Sequence, residues 1–243
     1  FWKTELRLSG NGFWKKMGTL NDLIGDSLGN PVDVKRAESV GGGCIHNAQR
    51  IETDTEVFFL KQSSHDRREL LQSEAQALQE IAKTKTVRVP EVVANGETEE
   101  GYALVLEWID LRRLSSSAGE KLGSALAALH QSEGAEQYGW QIDNFIGSTP
   151  QQNTPTDSWP SFYRDHRLAP QIQLAERNGY DLPAANQLLD NIECFFPANN
   201  YPRPSPLHGD LWGGNAAEDG SGNPVLFDPA FYYGDPETDI AFS

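Results

Sequence analysis

His208-Gly209-Asp210-Leu211-Trp212-Gly213-Gly214-Asn215, with Val225-Leu226-Phe227-Asp228 shortly after it, is the stretch on which the reading of this chain turns. Asn215 follows Asp210 by five residues, and Asp228 follows Asn215 by thirteen, across a turn rich in Gly and Asn. Asp and Asn favour turns because their side chains bond the local backbone. Any one of the three, taken alone, reads as a turn residue. The ordered set, with His208 ahead of it, reads as chemistry. One carboxylate can meet the proton of a hydroxyl, while a neutral amide and a second carboxylate can hold a hard divalent cation through oxygen.

This is the equipment that phosphoryl transfer from a magnesium-bound nucleotide requires, and the spacing matches the catalytic loop and metal-binding Asp of kinases. On this reading Asp210 is the catalytic base, and Asn215 and Asp228 hold Mg²⁺ against the phosphates of ATP. His208 braces the loop by hydrogen bonding rather than titrating. Trp212, two residues after the base, either packs on the acceptor or anchors the loop. Asp239 is expected to hold the catalytic loop by hydrogen bonds, with Asp235 and Glu237 solvated or facing substrate.

Such chemistry needs a second half upstream. Glu56-Val57-Phe58-Phe59-Leu60-Lys61 reads as a strand that ends on Lys61. His65 to Lys83 reads as the best helix, with Leu71, Ala75, Leu78 and Ala82 along one face. Glu74 stands on or beside that face, where an unpaired charge is costly. A Lys61–Glu74 pair that aims the ammonium at the ATP phosphates satisfies both groups. Without the downstream loop, Lys61 reads as a strand-end cation and Glu74 as the border of a solvated face. Gly41-Gly42-Gly43 joins two expected strands, and backbone N–H groups without an intervening Cβ can approach phosphate closely. The same triplet serves a plain hairpin, and His46 stands where a third spaced glycine of the kinase pattern would be. Leu104 to Ile109 leads from one part of the chain to the other. By position, the backbone of Glu107 and Ile109 faces the adenine edge.

Around these motifs the pattern predicts an α+β, bilobal, protein kinase-like fold. A short helix is expected over Thr19–Leu28 and strands over Val32–Val40, Cys44–Ile51, Glu56–Lys61, Val87–Ala94 and Tyr102–Trp108. The last two are placed around an Asn95-Gly96 turn. Helices are expected over Ser115–Gln131, Trp159–Arg177 and Pro183–Phe196, with residues 147–156 as a loop and Cys194 in the core. The domain expectation is a non-core leader over 1–16, an ATP-binding lobe over 17–108 and a catalytic and substrate lobe over 109–243. The chain stops inside the apolar run Ile240-Ala241-Phe242, so the natural protein is expected to continue with further helices.

Composition bounds the function. The chain has 243 residues, 38% of them hydrophobic, enough for a sizeable core rather than a disordered tail. Twenty Lys and Arg against 35 Asp and Glu give a net charge of −15. Phosphate backbones and anionic lipid are repelled by such a surface, so nucleic acid and membrane are not expected partners. No run approaches the roughly 18 apolar residues of a membrane helix. Two cysteines imply no disulfide framework, and the cytoplasm is the expected compartment.

The run Phe227-Asp228-Pro229-Ala230, with Tyr232-Tyr233-Gly234, Glu237 and Asp239 after it, joins the Trp that follows His-Gly-Asp-Leu. Together they resemble the fructosamine kinase (ketosamine-3-kinase) family, placed among the aminoglycoside phosphotransferase-like kinases. Gly41-Gly42-Gly43-Cys44-Ile45, Gly139-Trp140, Asp143 to Gly147, Gln151 with Asn153, Trp159 with Phe162, and Arg167-Leu168 extend the resemblance over residues 17–243. It implies an ATP- and Mg²⁺-dependent kinase that phosphorylates the 3-hydroxyl of ribulosamines or fructosamines, on glycated lysines of proteins or free. The unstable product releases the amine, a deglycation. Alternatives are a kinase for another hydroxyl or amino-sugar acceptor, and a nucleotide-binding pseudokinase. Cys44, beside the glycines, is read either as a redox switch that could link a dimer, with a monomer otherwise, or as an inert strand residue.

Overall fold

The computed structural model describes residues 6–8, 14–41, 47–196 and 201–243, the two N-terminal strands by backbone alone. Gly42, Gly43, Cys44 and His46 lie outside the described residues, and with them the redox reading of Cys44. The chain divides into two compact units, Phe1–Gln79 with Val89–Leu111, and Glu80–Arg88 with Arg112–Ser243.

The first unit opens with a short antiparallel pair, β1 (Leu6–Leu8) and β2 (Trp14–Lys16). Helix α1 (Leu20–Leu28) starts on a capping box, in which Thr19 and Asp22 bond each other's backbone N–H, and ends at Gly29 in the left-handed region. Strands β3 (Arg36–Ser39), β4 (Asn47–Glu52) and β5 (Val57–Ser63) precede α2 (Arg68–Thr84), which is entered through a 3₁₀ turn at His65–Arg67. β6 (Val92–Thr98) and β7 (Gly101–Glu107) complete a five-stranded antiparallel sheet in the order β3-β4-β5-β7-β6. One face of this sheet packs Ile51, Phe58, Leu60, Ala94, Ala103 and Val105 against Ile24 of α1. Side chains alternate along a strand, so Phe59 and Lys61 leave from the other face. Along α2, Leu71, Ala75 and Leu78 are buried as expected, whereas Ala82 is exposed and its neighbour Ile81 takes the inward place.

Two expectations for this sheet fail. Pro90 delays the strand's start to Val92, because a ring without an N–H cannot join a ladder. Asn95 and Gly96 lie inside the strand, opposite Leu104 and Ala103, and the turn falls at Glu99-Glu100. Gly96 answers a packing need, since a Cβ there would stand 3.0 Å from Leu23 of α1. Asn95 accepts the Tyr102 hydroxyl at 2.9 Å.

In the second unit, α3 (Ser116–Gln131) is capped by Ser115 and buries Ala118, Leu126, Leu129 and His130. The expected loop after Ile146 is instead a hairpin, β8 (Asn144–Ile146) with β9 (Thr149–Gln151), turning at Gly147 with φ 58°. The helix expected over Trp159–Arg177 is α4 (Trp159–Tyr163), a π-helical turn at Arg164–Leu168 and α5 (Ala169–Arg177), with Pro170 in the first turn of α5. Next come α6 (Ala185–Asp190) and a 3₁₀ turn at Ile192–Phe195. Cys194 is exposed, not in the core, because the tight turn points Ile192 inward instead. β10 (Ser205–Leu207), β11 (Ala216–Glu218), β12 (Pro224–Leu226) and β13 (Tyr232–Gly234) pair antiparallel as β10-β13 and β11-β12. α7 (Glu237–Phe242) closes the chain. Among the described residues, no helix is long and apolar enough to cross a membrane.

Candidate active site

The sequence His208 to Asn215 forms the loop between β10 and β11. Its entry is fixed by Gly209, whose φ is 81° and whose Cβ, if present, would stand 2.1 Å from the Ala230 carbonyl. Only glycine meets both demands. The loop is tied from beneath by Asp239 of α7, which is fully buried. One of its oxygens accepts the His208 N–H at 2.9 Å and the other the Gly209 N–H at 2.8 Å. His130 of α3 adds its Nε2 at 2.9 Å. Asp239 therefore stands where the sequence reading expected a brace; His130 had gone unremarked.

His208 is buried between two backbone groups. Its Nδ1 accepts the Asp210 N–H at 3.3 Å, so Nε2 carries the proton and donates to the Phe227 carbonyl at 3.0 Å. Burial pushes its pKa below the ordinary imidazole value, which keeps the ring neutral. The ring thus couples the Asp210 loop to the segment that carries Asp228.

Asn215 brings the candidate base and the candidate metal ligands into register. Its Nδ2 donates to the Asp210 carbonyl and to Asp210 Oδ2, both at 2.9 Å. Its backbone carbonyl accepts the Phe227 N–H at 3.1 Å. Burial raises the Asp210 carboxyl above the usual carboxylate range. The Asn215 amide opposes that rise, and the charge of nearby Asp228 adds to it. Asp228 itself has φ 57°, a left-handed conformation uncommon outside glycine.

Among the described residues, no group of three or more His, Cys, Asp and Glu could hold a metal ion. The donor set here is a carboxylate, Asp228, and an amide, Asn215, whose nitrogen is committed and whose Oδ1 is the atom it has to offer. So small an all-oxygen set does not suit zinc or a caged calcium. It suits Mg²⁺, which is commonly held by one or two protein oxygens together with water and phosphate.

Trp212 is 55% exposed, two residues beyond the base. Its indole covers Gly214, where a Cβ would stand 2.2 Å from the ring. In the first unit, Lys61 Nζ meets Glu74 Oε1 at 2.7 Å, with side chains 8% and 11% exposed. Strand alternation on β5 and the helical period of α2 put the two on facing surfaces, as the sequence pattern implied. Gly41 is exposed in a turn. Glu107 and Ile109 are half-buried at and beyond the end of β7, and the Glu107 N–H donates to the Glu91 carbonyl at 2.9 Å. The buried carboxamides Asn144, Gln151 and Asn153 received no role from sequence. Their one trace is in the family pattern, Asn144 within Asp143 to Gly147 and Gln151 with Asn153.

An antiparallel five-stranded sheet carrying a buried Lys–Glu pair, and a His-Gly-Asp loop followed by Asn and Asp, define a phosphotransferase of the protein kinase-like fold. The chain belongs to the fructosamine kinase family, whose model matches residues 16–243. It is 38% identical over 225 residues to a protein of Synechocystis sp. named "Probable ketoamine kinase", covering 93% of this chain and 76% of that one. It is also 38% identical over 221 residues to the chloroplastic protein-ribulosamine 3-kinase of Arabidopsis thaliana, covering 88% of this chain and 67% of the relative. A crystal structure of a candidate fructosamine-3-kinase from Haemophilus somnus superposes with a TM-score of 0.85 at 27% identity, covering 93% of this chain and 76% of that one.

Proposed function

We propose that this chain transfers the γ-phosphoryl group of ATP to the 3-hydroxyl of a ketosamine carried on a lysine amine. The hydroxyl oxygen forms a bond to phosphorus, the bond from phosphorus to the bridging oxygen of ADP breaks, and the hydroxyl proton leaves toward Asp210. The phosphorylated ketosamine then falls apart and releases the amine, so the net result is deglycation. The observation that carries the reading is the pair of Asn215 hydrogen bonds to Asp210, at 2.9 Å each. They hold the base and the amide ligand in one small frame, inside a chain of the fructosamine kinase family.

In this reading Asp210 accepts and orients the acceptor proton. Asn215 Oδ1 and the Asp228 carboxylate hold Mg²⁺, which when bound neutralises charge on the transferring phosphoryl. Lys61 binds ATP phosphates and Glu74 keeps its ammonium in place. Gly41, Gly42 and Gly43 cover the phosphates, and the Glu107 and Ile109 backbone meets the adenine edge. Trp212, exposed beside the base, offers a face to the sugar. With two cysteines in 243 residues, the reading places the enzyme in a reducing compartment, the cytoplasm.

The test is ATP consumption in the presence of Mg²⁺ with ribuloselysine and with fructoselysine. Turnover of at least one is expected, with the free lysine amine as final product. Failure on both, with nucleotide bound, rejects the ketosamine assignment. A separate outcome is expected for Lys61→Met. It removes a charge-assisted contact worth about 1.5–3 kcal/mol, which corresponds to about 10- to 100-fold in ATP affinity. The KM for ATP should rise while the KM for the sugar amine stays near its original value. An unchanged KM for ATP would remove Lys61 from the nucleotide site.

A further inference from the structure

Four residues gathered by the second unit have no part in the roles above. Asn144, Gln151 and Asn153 are buried carboxamides, exposed by 3%, 6% and 0%, and Arg167 lies beside them. Burial of an amide is unfavourable unless its polar atoms are bonded, and here two of the three amides bond the backbone of residues 230–231 directly while the third bonds one of them. Gln151 Nε2 donates to the Ala230 carbonyl at 3.1 Å and to Asn144 Oδ1 at 2.9 Å. Asn144 Nδ2 donates to the Phe231 carbonyl at 2.8 Å. Asn153 Nδ2 donates to Asn144 Oδ1 at 2.8 Å and to the Ile142 carbonyl at 3.1 Å. Asn153 Oδ1 accepts from Arg167 Nη2 at 2.7 Å, and that guanidinium lies 3.9 Å from the Tyr232 ring centre.

The backbone they grip is the one that leaves Asp228. A non-glycine residue at φ 57° persists only where its surroundings over-determine it. On the N-terminal side, Phe227 is held at its N–H by the Asn215 carbonyl and at its carbonyl by His208. On the C-terminal side, the Ala230 N–H donates to the His208 carbonyl at 2.9 Å, and the Ala230 and Phe231 carbonyls are taken by Gln151 and Asn144. With Phe227 and Ala230 both held, only Asp228 and Pro229 lie between them, and the proline ring fixes the φ of Pro229, so little freedom is left to Asp228. We infer that Asn144, Gln151, Asn153 and Arg167 form a positioning network for Asp228, clamping residues 230–231 so that its carboxylate stays where a divalent cation requires it. The inference rests on the metal–nucleotide reading above.

Groups that orient a metal ligand from behind typically change metal affinity about 10- to 100-fold when removed, whereas a role in folding alone leaves that affinity intact. Gln151→Met keeps the side chain's length and removes both of its donors. Mn²⁺ is titrated into protein saturated with ADP and followed by electron paramagnetic resonance. Binding of metal-free ADP is measured by calorimetry, and thermal melts run alongside. The Mn²⁺ dissociation constant should rise about 10-fold or more, with metal-free ADP binding unchanged. Gln152→Ala, at an exposed neighbouring position, should match the unmodified protein. An unaltered Mn²⁺ affinity in folded Gln151→Met, whatever its melting temperature, overturns the inference and leaves the network a purely structural part. If Gln151→Met does not fold, Gln151→Asn, which keeps the amide but draws it back by one methylene, is read by the same criteria. Absence of Mn²⁺ binding to the unmodified protein with ADP refutes the metal–nucleotide reading, and this inference with it.

Discussion

Asp210→Asn is expected to lower kcat by about 10²- to 10⁴-fold, the range that a positioned general base contributes, with little change in the KM for ATP. The substitution preserves the shape of the loop. The Asp210 backbone carbonyl still accepts from Asn215 Nδ2, and the Asp210 N–H still donates to His208. What disappears is the atom that takes the sugar proton, together with the charge that Asp228 and burial act upon. Steady-state kinetics with a ribulosamine substrate give the measurement, and a circular dichroism melt checks that the fold is kept. A kcat within about three-fold of the original, far inside that range, would show that Asp210 is not the base.

The largest loss of stability is expected from Asp239→Ala. The carboxylate is fully buried and accepts from the His208 N–H, the Gly209 N–H and His130 Nε2. Truncation strands three polar groups in the interior, each at a cost of about 1–3 kcal/mol, so a total above about 3 kcal/mol is expected. For a unit of this size that is a fall in Tm of about 10 °C. Asp239→Asn keeps one carbonyl oxygen and turns an N–H₂ toward a backbone donor, so it should fall between the parent and Asp239→Ala. Calorimetric melting of the three proteins reads the order directly. An Asp239→Ala protein that melts like its parent would mean the loop does not depend on this brace.

The parts that could be read in advance were the local ones. The set from His208 to Asn215 spans eight residues, and short-range chemistry of that kind is carried by residue type and spacing. The face on which Glu74 stands followed from the helical period, and the place of Lys61 on a strand from the apolar run before it, although β5 continues past Lys61 to Ser63. The Asn95-Gly96 pair misled because that dipeptide is a strong turn signal on its own. Here the nearness of Leu23 to Gly96, and the Tyr102 hydroxyl on Asn95, hold both residues within a strand. Cys194 misled in the same manner, since a cysteine on an expected helix reads as core and a 3₁₀ turn faces it outward.

Sequence alone determined the class of chemistry, because a lysine, an aspartate, an asparagine and a second aspartate in this order are legible as residue types. It determined the antiparallel sheet and its long helix too, because alternation and helical periodicity are properties of neighbours. Tertiary structure alone decided which buried polar groups serve those residues. His130 meets Asp239 from 109 residues away, and Gln151 reaches Ala230 from 79. Whether a carboxamide or a carboxylate is solvated or holds an interior backbone group depends on which distant carbonyls and N–H groups the fold sets against it. No local pattern carries that information.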